Sequence, residues 1–199
     1  MDAELDAIIT QETVVPSRQE TSVLGLFAFV GSPFDQKRST HAHHGIALRG
    51  GEHAPQDFYT LYLAKALRYA GTIEICDQQA GAHYAGNYRH TLQNLFRLSA
   101  QDCSSGATKA ITLHIGDGAR RDHCCTEIPS LCRDLQVLIR VYDGQTAATS
   151  LPHERYLLTD QFAFEIGRGL DLFDSSTNRN RDVSISFKDP KIVEQLMPR

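Results

Sequence analysis

His153-Glu-Arg155-Tyr-Leu-Leu-Thr-Asp160, followed after six residues by Gly167-Arg168-Gly169-Leu170-Asp171, is the stretch on which the rest of the chain turns. His153 and Arg155 are two apart, so on a strand they face the same side. Tyr156-Leu157-Leu158 is apolar and reads as that strand entering a core. Asp160 ends it and opens a tight turn. Gln161 to Ile166 reads as the returning strand, with Phe162, Phe164 and Ile166 on one face. Gly167 and Gly169 let the backbone pass close to whatever lies beside His153. A hairpin that brings a histidine, an arginine and a glycine-flanked arginine to one edge suits a phosphate group.

Around this hairpin lies material of ordinary globular composition. The 199 residues are 41% hydrophobic and 22% charged, enough for one domain with a real core. The formal net charge of −4 argues against a generally basic, nucleic-acid-coating surface but leaves room for a local basic groove. No apolar run approaches the length of a membrane span, and the start Met1-Asp-Ala-Glu-Leu-Asp is unlike a signal peptide, so a cytoplasmic protein is expected. The five cysteines (Cys76, Cys103, Cys124, Cys125, Cys132) include no Cys-x-x-Cys pair and read as reduced thiols. Cys124-Cys125 beside His123 is a poor metal set, because adjacent cysteines rarely ligate one ion with good geometry. Neither a metal nor a cofactor is expected.

Residues 1 to 20 are polar and read as an arm; residues 21 to 199 read as the folded domain. Val23 to Val30 is an apolar block that suits a strand or a buried helix. Residues 31 to 56 lack periodicity and hold Lys37, Arg38, His41, His43, His44 and Arg49. An exposed loop, a basic cover over an anion site and a histidine metal cluster all fit that segment. Asp57 reads as the cap of a helix with Phe58, Leu61, Tyr62, Leu67 and Tyr69 on its apolar face, ended by Gly71. Thr72 to Asp77 is a strand ending in a carboxylate, where sites form in α/β sheets. A Gly/Ala/Gln loop over residues 78 to 86 leads to a helix from Tyr88 to Leu98. Lys109 to Ile115 is a strand whose His114 faces away from the side of Leu113 and Ile115. Thr126 to Asp134 reads as a helix with Pro129 near its start. Gln136 to Tyr142 has a continuous apolar core that suggests a central strand buried on both faces. A loop from Asp143 to Pro152 precedes the hairpin. A polar loop from Asp174 to Asp182, a strand from Val183 to Phe187 and a helix from Pro190 to Met197 follow it. Alternating helices and strands, then a hairpin, make an α/β sandwich: one domain with a mixed sheet flanked by helices.

The spacing His-x-Arg-x(4)-Asp-x(6)-Gly, from His153 through Asp160 to Gly167, resembles the His-x-Lys-x(4)-Asp-x(6)-Gly signature of the phospholipase D superfamily, with Arg155 where that family has lysine. The continuation Glu165-Ile-Gly-Arg-Gly-Leu-Asp171-Leu-Phe173 is more similar still to one subgroup. That subgroup is the phospholipase-D-like domain at the C-terminus of MIT-domain proteins of the cell-division ESCRT machinery, with its stand-alone bacterial relatives. The resemblance implies a phospholipase-D-like fold with His153 as nucleophile, Arg155 on a nonbridging oxygen and Asp160 orienting a histidine. Gly167, Arg168 and Gly169 would bind phosphate, with Asp77 and His114 as supporting residues. A second histidine protonates the leaving group in that family. This chain carries one such motif, so a catalytic form implies a homodimer. The expected activity is then metal-independent phosphodiester cleavage of the nuclease type on nucleic acid. The alternative is a non-catalytic module that dimerises and binds anionic membrane lipid, nucleic acid or a protein partner, including as a subunit of a larger complex. A purely structural reading, a salt-bridged hairpin edge at His153, Arg155 and Asp160, stands beside both.

Overall fold

The computed structural model describes residues 45–68, 70–101, 109–132, 135–160 and 162–198. Val23–Val30 and the Lys37, Arg38, His41, His43 and His44 segment lie outside these residues, as do Cys103 and Tyr69.

A seven-stranded mixed sheet organises the chain, in the order β1-β9-β6-β5-β2-β3-β4. Its parallel part is β2 (Thr72–Asp77), β3 (Ala110–Gly116) and β4 (Gln136–Tyr142). Its antiparallel part is the hairpin β5 (Tyr156–Thr159) and β6 (Ala163–Ile166), then β9 (Val183–Lys188) and β1 (Ile46–Leu48). The two parts join where β5 pairs antiparallel with β2. The parallel pairs need crossovers, supplied by α4 (Gly86–Gln101) between β2 and β3 and α5 (Arg121–Leu131) between β3 and β4. The α/β class with a mixed sheet read from the sequence is the class observed.

Side-chain alternation gives the sheet two buried faces. Ile73, Ile75, Ile111, Leu113, Ile115, Phe162, Phe164 and Ile166 form one face, packed on Leu92, Leu95 and Phe96 of α4 and Ile128 of α5. Cys76, Tyr156, Leu158 and Ala163 point the other way, onto Ala147 and Leu151 near α6 (Gly144–Ser150) and onto Val193 and Met197 at α7 (Pro190–Leu196). Cys76, Cys124, Cys125 and Cys132 are free thiols, and burial pushes those of Cys76 and Cys124 up to about 12. Among the described residues, no helix is long and apolar enough to cross a membrane.

Several elements differ from the sequence expectation. Gln136 to Tyr142 is the edge strand, not a central one: Leu138 is 50% exposed and Val141 38%. Val137 and Ile139 pack against one core cluster and Tyr142 against the other, so the apolar run hides an alternating pattern. The helix expected from Asp57 starts at Pro55 and is not capped by Asp57. It runs as α1 (Pro55–Phe58), a π turn (Tyr59–Leu63) and α2 (Ala64–Arg68). The π turn inserts a residue, which rotates the buried face onto Phe58, Tyr59, Leu63 and Leu67 and turns Leu61 outward. The helix expected from Thr126 begins five residues earlier, with Cys124 and Ile128 as its buried pair, so Pro129 lies near its end. The expected loops contain further elements. They are β1, α3 (Ala80–His83), α6 and the small hairpin β7 (Phe173–Asp174) with β8 (Arg179–Asn180). Asp143 caps α6, its side chain accepting from the Thr146 amide at 2.8 Å.

Candidate functional site

β2 ends at Asp77, and the chain there is held by that side chain. Asp77 is fully buried. Its Oδ1 accepts from the Gln79 amide at 2.9 Å, which starts the turn into α3. Its Oδ2 accepts from the Leu170 amide at 2.8 Å, which pins the 167–170 turn from the other half of the chain. Burial pushes the Asp77 carboxyl up, while the two amides, Arg155 and His83 pull it down.

Antiparallel pairing of β5 with β2 brings Arg155 to the same place. Tyr156 pairs with Cys76, so Arg155 continues the register beside Asp77. The Arg155 carbonyl accepts from the Ile166 amide at 2.9 Å, which fixes its backbone to β6. Gly169 lies between these groups with φ +63°. A Cβ on Gly169 would collide with Asp77 Oδ2 and with the Arg155 side chain, so the turn tolerates only glycine at this approach. Gly167, whose amide donates to the Ser184 carbonyl at 2.8 Å, is equally closely packed against the Ser184 side chain.

Arg168 follows in the same turn. Its Nη2 donates to Asp171 Oδ2 at 3.0 Å, and Arg181 Nη1 donates to both oxygens of Asp171 at 3.1 Å. Among the described residues, three buried side-chain nitrogens have no hydrogen-bond partner: Arg155 Nε, Arg168 Nε and His114 Nε2. A buried donor left unpaired costs about 1–3 kcal/mol, so the two arginine donors beside the Gly169 turn are costly unless another molecule supplies acceptors.

Two residues that sequence reasoning missed complete the cluster. Tyr88, half-buried in the first turn of α4, stands close enough to Asp77, Arg155, Asp171 and Arg168 to feel all four charges. Burial and Asp77 push its phenol up to about 12, against the two arginines. The helix turn around it is clamped to α5 at Glu127, which accepts from Tyr84 Oη at 3.0 Å, Arg89 Nη2 at 2.6 Å and Gln93 Nε2 at 2.7 Å. His83, exposed at the end of α3, lies with its ring centroid 5.9 Å from that of Tyr88. In sequence both residues read as loop and helix start. The only signal for them was their place just after a strand ending in Asp77.

The expected site residues separate into three groups. Arg155, Gly167, Arg168, Gly169 and Asp77 come together. The strand expected to carry His153 and Arg155 on one face starts only at Tyr156, so His153 is exposed in the bend two residues before Arg155. Asp160 does not join them. It lies at the other end of β5, beside the start of β2 and the Gly71 turn, because a four-residue strand separates it from Arg155. There it borders a cleft of about 540 Å³ lined also by Glu74, Asp189, Lys191 and Glu194. Four carboxylates against one ammonium make that cleft unsuited to an anion. His114 does not support the site either. It pairs with Cys76 in register, on the sheet face opposite Asp77, fully buried. Tyr142 Oη lies 3.0 Å from its Nδ1, and Glu74 Oε2 lies 3.5 Å from its Nε2. The sequence expectation that His114 faces away from Leu113 and Ile115 holds, and that orientation takes it out of the cluster.

The arrangement presents two guanidinium groups, one buried carboxylate, a phenol and exposed imidazoles at the carboxyl end of a parallel strand. It can hold a tetrahedral anion through bidentate charge-assisted bonds. Among the described residues, no group of three His, Cys, Asp or Glu side chains is placed to hold a metal ion. No protein-family model matches the sequence, and no curated protein matches it.

Proposed function

We propose that this chain is a phospholipase-D-like domain that takes a phosphodiester of nucleic acid at Arg155 and Arg168 and cleaves it without a metal, with His153 as nucleophile. The observation that carries the reading is the pair of buried guanidinium Nε groups without acceptors around the Gly169 turn. A nonbridging phosphate oxygen supplies those acceptors, and the same two cations offset the charge that grows on phosphorus in the transition state. His153, exposed in the bend two residues before Arg155, is the imidazole this reading assigns as nucleophile. A two-fold pairing of chains, which would bring a second His153 to the cleft, is one way to supply an acid for the leaving oxygen.

A second reading has its own support. Asp171 already pairs with Arg168, and Asp77 lies beside Arg155, so part of the positive charge is offset within the chain. Such a site suits a module that binds anionic lipid, nucleic acid or an acidic partner without turnover. Cleavage of single- and double-stranded DNA and RNA in EDTA, by the natural chain and by His153→Ala, separates the two. Cleavage that survives the chelator and vanishes in the variant supports the phosphodiesterase. A folded chain that binds these substrates without cutting them supports the binding module.

A further inference from the structure

A leaving alkoxide needs a proton, and a water that later attacks phosphorus must lose one. The groups around the anion site differ in their ability to do this. Asp77 is fully buried, with each carboxylate oxygen committed to a backbone amide. Asp171 is held by Arg168 and Arg181. The Tyr88 phenol, pushed up to about 12, holds its proton too tightly to act as a base near neutrality. His83 remains. It is exposed, its ring faces that of Tyr88 across 5.9 Å, and it is close enough to bear on the charge of Asp77.

Its backbone is also held in place. The turn into α3 hangs on Asp77 through the Gln79 amide, and the His83 amide donates to the Gln79 carbonyl at 3.0 Å. Gly81, in the middle of α3, packs so closely on the Gly116 carbonyl at the end of β3 that no Cβ fits. The Gly81 carbonyl accepts from the Arg120 amide at 3.1 Å. This short helix is thus wedged between the ends of two parallel strands, and His83 is its last residue.

We propose that His83 is the acid–base residue of this site, so that one chain carries both imidazoles the reaction needs. The assignment rests on the phosphodiesterase reading and deepens it. In the first step the lone pair of the His153 imidazole forms an N–P bond while the P–O bond to the leaving oxygen breaks. Protonated His83 gives that oxygen its proton. In the second step neutral His83 takes a proton from water, and the water oxygen bonds to phosphorus as the N–P bond breaks. Neutral His153 and protonated His83 are restored.

Loss of a general acid has a signature that a structural defect lacks, because a substrate with a good leaving group does not need the proton. The test compares the natural chain, His83→Gln and His153→Ala in EDTA, on a single-stranded oligonucleotide and on bis(p-nitrophenyl) phosphate. The expected result is a loss of about 10²–10⁴-fold in the single-turnover rate for His83→Gln on the oligonucleotide and a far smaller loss in the first-turnover release of nitrophenolate from the ester, the step that needs no acid. His153→Ala loses both activities. Equal losses on the two substrates for His83→Gln, or none on either, overturn the role of His83. If His153→Ala is inactive in that case, the phosphodiesterase reading stands. No turnover of either substrate by the natural chain overturns both.

Discussion

Gly169 bears the tightest demand in the site, with Asp77 Oδ2 and the Arg155 side chain on either side of its α-carbon and φ at +63°. Replacing it with alanine forces a methyl group between them and a side chain into the left-handed region. Gly169→Ala is expected to cost about 1–3 kcal/mol in urea denaturation. It should also weaken phosphate binding measured by calorimetry, since the turn carries Arg168 and packs on the Arg155 side chain. Normal stability and normal binding would mean that the turn does not position them. Arg155, Gly167, Arg168 and Gly169 were legible in the sequence because a hairpin and one turn keep them close along the chain. His83 and Tyr88 were not. They reach the site only because β5 pairs with β2, and no local pattern reveals which distant strands will pair. Asp160 was misplaced for the converse reason: a spacing of five from Arg155 along a strand carries it to the far end of the sheet.

At the level of elements, β4 shows how an apolar run misleads. Val137 and Ile139 reach the core, while Leu138 on the opposite face and Val141 near the strand end stay exposed at the edge. A central strand would lose stability at every one of these positions. Leu138→Lys is therefore expected to change stability by less than about 0.5 kcal/mol, whereas replacing the fully buried Leu113 of β3, Leu113→Ala, should cost about 2–5 kcal/mol. Thermal or urea denaturation of the two variants checks this, and a large loss at Leu138 would contradict the edge position. β2 and β9 were readable almost to the residue, because alternation and bounding turns agree there, whereas β5 starts only at Tyr156, leaving His153 in the bend before it, and β6 only at Ala163. The π turn after Phe58 could not be read: its residues look like ordinary helix formers, and only the packing of Tyr59 and Leu63 shows the extra residue. The Asp143 cap of α6 was readable in principle, as an aspartate three residues before the threonine whose amide it holds.

For the whole molecule, the sheet separates two electrostatic environments. One face ends in the arginine cluster. On the other, β2 carries Glu74, which the buried His114 imidazole at 3.5 Å holds below the usual carboxylate range, against the effect of burial. A carboxyl lowered in the folded state contributes stability above its unfolded value of 4.5. That contribution is lost as pH falls through the lower folded value. The natural chain is therefore expected to be more stable than Glu74→Gln near neutrality, with the difference shrinking as pH drops below 4.5. Urea midpoints of both chains across that range check it, and a constant difference would remove the His114–Glu74 contact from the account.

The claim on which the rest depends is that Arg155 and Arg168 form one preorganised phosphodiester site. Calorimetric titration of a short single-stranded oligonucleotide, in EDTA, into the natural chain, Arg155→Ala and Arg168→Ala tests it. Each arginine contributes charge-assisted bonds worth about 1.5–3 kcal/mol, so each variant should bind about ten- to a hundredfold more weakly. Folded variants that bind as tightly as the natural chain, or a natural chain that does not bind the oligonucleotide at all, would contradict the account.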